Sequence, residues 1–189
     1  MLRRVLAMMV IAGMALGVGV AAYASDAGGG ATATATKHRP KKVAVHPHRN
    51  AYRITTDPDP YEQFAISLGY RVGNLLFISG QASLDEKGNL VGIGDFDAQA
   101  EQSFKNLERV LKAGGSSLDK VVKVTIYMTD ISQFPKIVAL RKRFFSKPYP
   151  ADTIVEVKAL GLPELQIEIE AIAIAKGRMI DPGPGALAR

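Results

Sequence analysis

The segment "LQIEIEAIAIA", residues 165–175, indicates a β-strand with two different faces, because its polar and apolar side chains alternate with a period of two. Successive side chains of an extended strand point to opposite sides. One side carries Gln166, Glu168 and Glu170, and the other carries Ile167, Ile169 and Ala171. We expect the apolar side to pack beneath helices, so the carboxylate side faces water, a ligand cleft or a partner subunit. The alternation alone also fits an ordinary solvated face.

The order of the remaining elements predicts an α+β domain with a mixed sheet and two helices on one face. Strands are expected at 64–72, 74–81, 120–130 and 153–160, with a short hairpin strand after the turn at Lys87 and Gly88. Asp95 or Asp97 is expected to cap a first helix that ends at Gly114 and Gly115. Ser132 is expected to cap a second helix with Pro135 in its first turn.

Four regions follow from composition along the chain. Residues 1–24 combine a basic start, a long apolar run and Ala-Tyr-Ala, which indicates a signal peptide cleaved after Ala24 and export to the periplasm or beyond. An uncleaved membrane anchor is the alternative, because the apolar run is long enough to span a bilayer. Residues 25–60 are predicted to be a flexible basic linker, 61–176 the domain, and 177–189 a flexible tail.

The distribution of charge argues against a nucleic-acid partner. The chain has a net charge of +6, but residues 61–176 contain fourteen Lys or Arg and fourteen Asp or Glu. The basic excess therefore belongs to the flanking segments, which argues against a nucleic-acid-binding face on the domain.

The residue inventory excludes several kinds of catalytic site. The chain has no cysteine, which rules out thiol catalysis and thiolate metal sites. Its histidines, His38, His46 and His48, all precede the domain, which rules out a Ser-His-Asp triad or a histidine-ligated zinc within it. We expect no metal site.

Four motifs in register resemble the RidA (reactive intermediate deaminase) family, also called the YjgF or UK114 family. They are "VGNLLFISGQ", "DKVVKVTIYMTDISQF", "RFF" followed by "YPA", and "VEV…LP…IEIEAIA", and the resemblance covers roughly residues 64–175. It implies a chorismate-mutase-like fold, a homotrimer with a central barrel, and ligand clefts between subunits. The best-known members hydrolyse 2-imino acids to 2-oxo acids and ammonia without a cofactor, so we expect none here.

The resemblance also implies the site residues. Glu168 matches the acid that positions the attacking water, and the substrate-binding residues Ser79, Gly80 and Gln81 are retained. The family's tyrosine corresponds to Ile66, with Phe64 and Tyr61 as shifted candidates. Its asparagine before the second helix corresponds to Ser132.

The family arginine that grips the substrate carboxylate corresponds to Asp152. Losing a charge-assisted hydrogen bond and adding a like charge weakens binding of an imino acid by roughly 100-fold or more. We therefore expect a small-molecule-binding protein of the cell envelope without ordinary deaminase activity. An active deaminase or other hydrolase that uses another cation, such as Arg71 or Lys158, is the alternative. We further expect Asp152 and Glu168 to face one cavity that favours neutral or cationic ligands, unless Asp152 is a plain cap at the start of its strand.

Overall fold

The computed structural model describes residues 50–187, which form one six-stranded mixed sheet with two α-helices. The strands are β1 (Ala51–Ile54), β2 (Gly69–Val72), β3 (Leu75–Ala82), β4 (Val121–Met128), β5 (Ala151–Glu156) and β6 (Ile167–Ile174), and the helices are α1 (Phe96–Ala113) and α2 (Phe134–Phe144). Their order in the sheet is β1-β2-β3-β6-β4-β5. Only the β4–β5 pairing is parallel, so the predicted mixed sheet is confirmed.

The first helix begins and ends where the sequence predicts. Asp95 is its N-cap and accepts a hydrogen bond from the backbone nitrogen of Ala98, and Gly114 is its C-cap. Its apolar face buries Phe104 and Leu107 completely against the sheet.

The second helix begins differently from the prediction. Its N-cap is Gln133, without a side-chain bond, and Pro135 lies in the first turn as expected. Ser132 does not cap it, because Ser132 belongs to a short 3₁₀ helix, Ile131–Gln133, which Asp130 caps by accepting a bond from the Ser132 backbone nitrogen at 2.9 Å.

Both helices cover the same face of the sheet. The ring of Phe104 in α1 stacks on Phe144 of α2 with centroids 4.7 Å apart, and both helices contribute to one core. Residues of β6 alternate between buried and partly exposed along its length. The face that carries Glu168 and Glu170 is therefore the uncovered one, which we call the open face.

Three predictions about the first part of the domain are corrected. Residues 64–72 are not one strand, because Glu62–Phe64 forms a 3₁₀ helix whose C-cap, Ala65, has a left-handed φ of 56°. The predicted linker 25–60 includes β1, which pairs antiparallel with β2 and places Ile54 in the core. The short strand expected after Lys87 and Gly88 is only an isolated bridge between Leu84 and Leu90.

Two sequence predictions concern residues outside the described range. The signal peptide, 1–24, and most of the linker lie before residue 50. Within residues 50–187, no helix is both long enough and apolar enough to cross a bilayer.

Candidate functional site

The candidate site is built on a β-bulge where β3 pairs with β6. Ile78 lies opposite Ala171, whereas Gln81 lies opposite Ile169, so three steps along β3 match two along β6. The extra residue falls at Ser79 and Gly80. Bulges bend the strand and re-aim nearby side chains, and they are common beside active sites.

A cavity of about 300 Å³ opens beside this bulge. Ser79, Gly80 and Glu168 line it together with mostly apolar residues: Tyr61, Phe64, Ile66, Ala82, Leu84, Gly161, Leu162 and Leu165. The structure thus brings together four residues predicted from the sequence, namely Ile66, Ser79, Gly80 and Glu168. Among the described residues that line this cavity, none is a lysine or an arginine.

Glu168 is the ionisable group of the cavity best suited to acid–base chemistry. Burial, and then the neighbouring charge of Glu170, raises the pKa of its carboxyl group above the ordinary value. The carboxyl group lies directly against Gly80, where a Cβ atom would overlap its Oε1. A larger residue at this position would force the Glu168 carboxyl group to move.

Tyr61 holds the bulge from the other side, and sequence reasoning gave it only as a shifted candidate. Its hydroxyl donates to the carbonyl oxygen of Gly80 at 2.7 Å and accepts from the backbone nitrogen of Ala82 at 2.9 Å. Burial is the main cause that raises the pKa of Tyr61 to about 12, and the charge of Glu168 contributes. Tyr61 is therefore neutral at physiological pH.

Ser79 and Gln81 are engaged with the protein itself. The Ser79 hydroxyl donates to the carbonyl oxygen of Ser67 at 2.7 Å. The Gln81 side chain is 1% exposed and donates to the carbonyl oxygen of Ser79 at 2.9 Å. Gln81 therefore supports the bulge but does not line the cavity, which corrects its predicted role in binding.

Asp152 does not face the Glu168 cavity within one chain, contrary to the prediction. Asp152 lies opposite Val124 of β4, and Glu168 lies opposite Tyr127 of the same strand. Val124 is buried under the helices. Tyr127 lies three residues further along β4, and because successive side chains of a strand alternate between its faces, Tyr127 projects to the open face. The two carboxylates are thus on opposite faces, with β4 between their strands.

Asp152 is instead paired with Arg141 of α2, a partner that sequence reasoning missed. Both side chains are mostly buried, with 15% and 24% exposed for Asp152 and Arg141 respectively. Burial raises the pKa of Asp152, and the Arg141 guanidinium opposes that rise. The position of Arg141 on an amphipathic helix could have suggested that it has a buried partner, but no feature of the sequence identified that partner as Asp152.

The other predicted residues lie away from the cavity. Ser132 is exposed in the 3₁₀ helix before α2. Of the alternative cations, Lys158 is exposed outside the cavity, and Arg71 donates to the carbonyl oxygens of Gly73 and Gly114. No group of His, Cys, Asp or Glu within residues 50–187 is arranged to hold a metal ion.

Residues 55–175 match the model of a family described as Endoribonuclease L-PSP. A RutC family protein, y4sK, of Sinorhizobium fredii is 40% identical over 119 residues, which are 63% of this chain and 94% of the relative. A 2-iminobutanoate/2-iminopropanoate deaminase of the mite Dermatophagoides farinae is 34% identical, over 64% of this chain and 94% of the relative. The crystal structure of RidA from an Antarctic Psychrobacter species shares 38% identity with a TM-score of 0.54, covering 58% of this chain and 87% of that one.

Proposed function

Because the chain belongs to the Endoribonuclease L-PSP family, which includes the RidA proteins, we propose that its Glu168 cavity binds small imines that carry no carboxylate group. We further propose that Glu168 promotes their hydrolysis. The observation that carries this proposal is a partly buried carboxyl group in a mostly apolar cavity of about 300 Å³, with no lysine or arginine among its described lining residues.

The chemistry requires a group that exchanges protons near neutral pH. A water oxygen adds to the imine carbon while Glu168 accepts a proton from that water, the C=N electrons pass to the nitrogen, and Glu168 delivers the proton to it, giving a neutral carbinolamine. Glu168 then accepts the hydroxyl proton of the carbinolamine as the C=O bond forms, and it delivers that proton to the nitrogen as the C–N bond breaks to release ammonia. One water and one imine thus give one carbonyl compound and one ammonia, and Glu168 is left ionised as it began. A raised carboxyl pKa suits this double role.

The composition of the cavity favours a neutral or cationic ligand. A carboxylate ligand would meet the charge of Glu168 in poorly solvated surroundings, where like charges repel strongly. A protonated imine would instead be attracted to the ionised form of Glu168. The mostly apolar walls suit a short hydrocarbon side chain on the ligand.

A second candidate is hydrolysis of 2-imino acids, the activity that the name of the mite relative states. The Arg141 guanidinium favours it, because a cation lies beside Asp152 at the position that matches the family arginine. Under this candidate Arg141 would take over binding of the substrate carboxylate in a cleft completed by a second subunit.

One experiment separates the two candidates. A flavin amine oxidase generates imines without a carboxylate, an L-amino acid oxidase generates 2-imino acids, and semicarbazide traps whatever is not hydrolysed, with catalase present. We expect the purified protein to suppress semicarbazone formation at least tenfold more efficiently from the amine-derived imines. Preference for 2-imino acids would favour the second candidate, and no effect on either would reject both. Glu168→Gln should abolish the effect, whereas Glu164→Gln, at an exposed glutamate nearby, should retain it.

We also propose that the protein is a homotrimer. Four exposed apolar side chains share the open face of β2 and β3, where Tyr70 pairs with Phe77 and Val72 pairs with Leu75. Each is at least 40% exposed, and a contiguous apolar face of this kind favours burial against a partner. Light scattering coupled to size exclusion is expected to give the mass of three chains, and a monomer mass would refute the proposal.

Export remains a proposal that the N-terminal sequence supports. Intact mass measurement on protein from its native cells is expected to show loss of residues 1–24. A mass that includes Met1 would favour the anchor alternative.

A further inference from the structure

The β-bulge at Ser79 and Gly80 creates a need for hydrogen-bond partners that the sheet cannot meet. Residues of a bulge lose partners in the ladder, and buried backbone groups left unpaired are costly. The Tyr61 hydroxyl satisfies two such groups at once, the Gly80 carbonyl and the Ala82 nitrogen. The Tyr61 side chain is 6% exposed, so water has little access to replace it.

Both groups that Tyr61 holds belong to residues next to the Glu168 carboxyl group. Gly80 lies directly against that carboxyl group, and Ala82 is the register partner of Glu168 across the β3–β6 pair. Any movement of this backbone would change the wall against which the carboxyl group rests. The ring of Tyr61 belongs to the hydrophobic core and meets Phe64 edge-on, with centroids 6.5 Å apart, whereas its hydroxyl makes both hydrogen bonds to the bulge.

We propose that Tyr61 is a positioning residue, whose hydroxyl locks the β3 bulge and thereby fixes the place and the solvation of the Glu168 carboxyl group. The importance of this role for turnover rests on the proposed function, but the positioning itself does not. Tyr61 lies eighteen residues before the bulge in sequence and outside the strands of the sheet. The hydrogen bonds that hold the bulge therefore depend on the segment before β2.

Tyr61→Phe tests the inference because it removes the hydroxyl and keeps the ring. We expect hydrogen exchange of the Ala82 amide to accelerate about tenfold, the factor that corresponds to one hydrogen bond. We also expect the pKa of Glu168, followed by carbon-13 NMR of its carboxyl group, to move toward the ordinary glutamate value, because a loosened wall admits water. The groups around that carboxyl are Tyr61 before β2, Tyr127 on β4 and Glu170 on β6, with no ionisable side chain on the facing part of β3.

Tyr149→Phe is the matched control, since it removes a hydroxyl from an exposed tyrosine remote from the cavity. It should leave both readouts unchanged. If Tyr61→Phe also leaves both unchanged, the inference is overturned. Because neither readout measures turnover, an inactive protein would reject the proposed function while leaving this test intact.

A measurement on the wild-type protein guards against a variant that does not fold. Carbon-13 NMR of the tyrosine rings should show Tyr61 still protonated at pH 11, since its pKa is raised to about 12 by burial. Ionisation of Tyr61 near the ordinary value of about 10 would show an accessible hydroxyl and would overturn the inference as well.

Discussion

Asp152 and Glu168 lie on opposite faces of the sheet, separated by β4, and Asp152 is paired with Arg141. Asp152 therefore adds no second carboxylate to the cavity of its own chain. A direct electrostatic effect of Asp152 on a ligand requires a second subunit, which the edge position of β5 allows.

The first prediction concerns 2-oxobutyrate, a stable analogue of a 2-imino acid. Wild-type protein is expected to give no measurable heat with it in calorimetry, because the cavity provides no cation among its described lining residues. If the protein is a homotrimer with clefts between subunits, Asp152→Arg should gain affinity by about 10- to 100-fold, the contribution of one charge-assisted contact.

The matched control for that titration is Asp152→Asn, which removes the carboxylate without adding a cation. It should not gain affinity. Failure of Asp152→Arg to bind would indicate that the start of β5 does not reach any cavity and that its pairing with Arg141 is purely structural. Tight binding by the wild type would contradict the proposed ligand preference.

The second prediction concerns the stability that the Arg141–Asp152 pair provides between α2 and β5. A double-mutant cycle with Arg141→Ala and Asp152→Ala should give a coupling energy of about 1–2 kcal/mol in urea unfolding, because both side chains are mostly buried. The control cycle uses Glu108 and Lys112, an exposed pair on α1. Its coupling should stay below about 0.5 kcal/mol. Equal couplings in the two cycles would contradict the prediction.

The architecture was predictable from the sequence where local patterns and burial agree. The alternation in β6 and the Asp95 cap of α1 each follow from rules that act within a few residues. The first strand was misplaced because residues 64–68 are apolar enough to suggest a strand, whereas the chain turns at Ala65 before entering β2. The strand β1 was missed because only its pairing with β2, a nonlocal contact, distinguishes it from a linker.

The candidate site was predictable only in part. Motif resemblance located Ser79, Gly80 and Glu168, and these do meet in one cavity. The partner of Asp152 was not predictable, because it depends on which helical side chain lies over the start of β5. Tyr61 could not be assigned for a similar reason. Its role arises from the three-dimensional position of a bulge eighteen residues away.

The third prediction concerns the close approach of Gly80 to Glu168. Gly80→Ala should displace the carboxyl group and lower imine hydrolysis by about 100-fold, the effect of a misplacement on the order of 1 Å. Gly161→Ala is the control, because Gly161 lines the same cavity but a Cβ there meets no atom within 4 Å. Equal behaviour of the two variants would contradict the role assigned to Gly80.

The fourth prediction concerns how stability depends on pH through Glu168. Burial and the charge of Glu170 raise the pKa of Glu168 in the folded protein above its value in the unfolded chain. The folded state therefore holds this proton more tightly, so the contribution of Glu168 to stability is fully present below the unfolded pKa. It is lost as the pH rises through the folded pKa.

Glu168→Gln removes this titration. The variant should therefore become more stable relative to the wild type as the pH rises from about 4 to 8. Urea unfolding at several pH values measures the difference, and Glu164→Gln, which alters an exposed side chain, provides the baseline. The sign is decisive, because a carboxylate held by a cation would lose stability at low pH. A difference that grows toward low pH would mean that Glu168 is stabilised in its charged form, which would contradict an apolar, cation-free cavity.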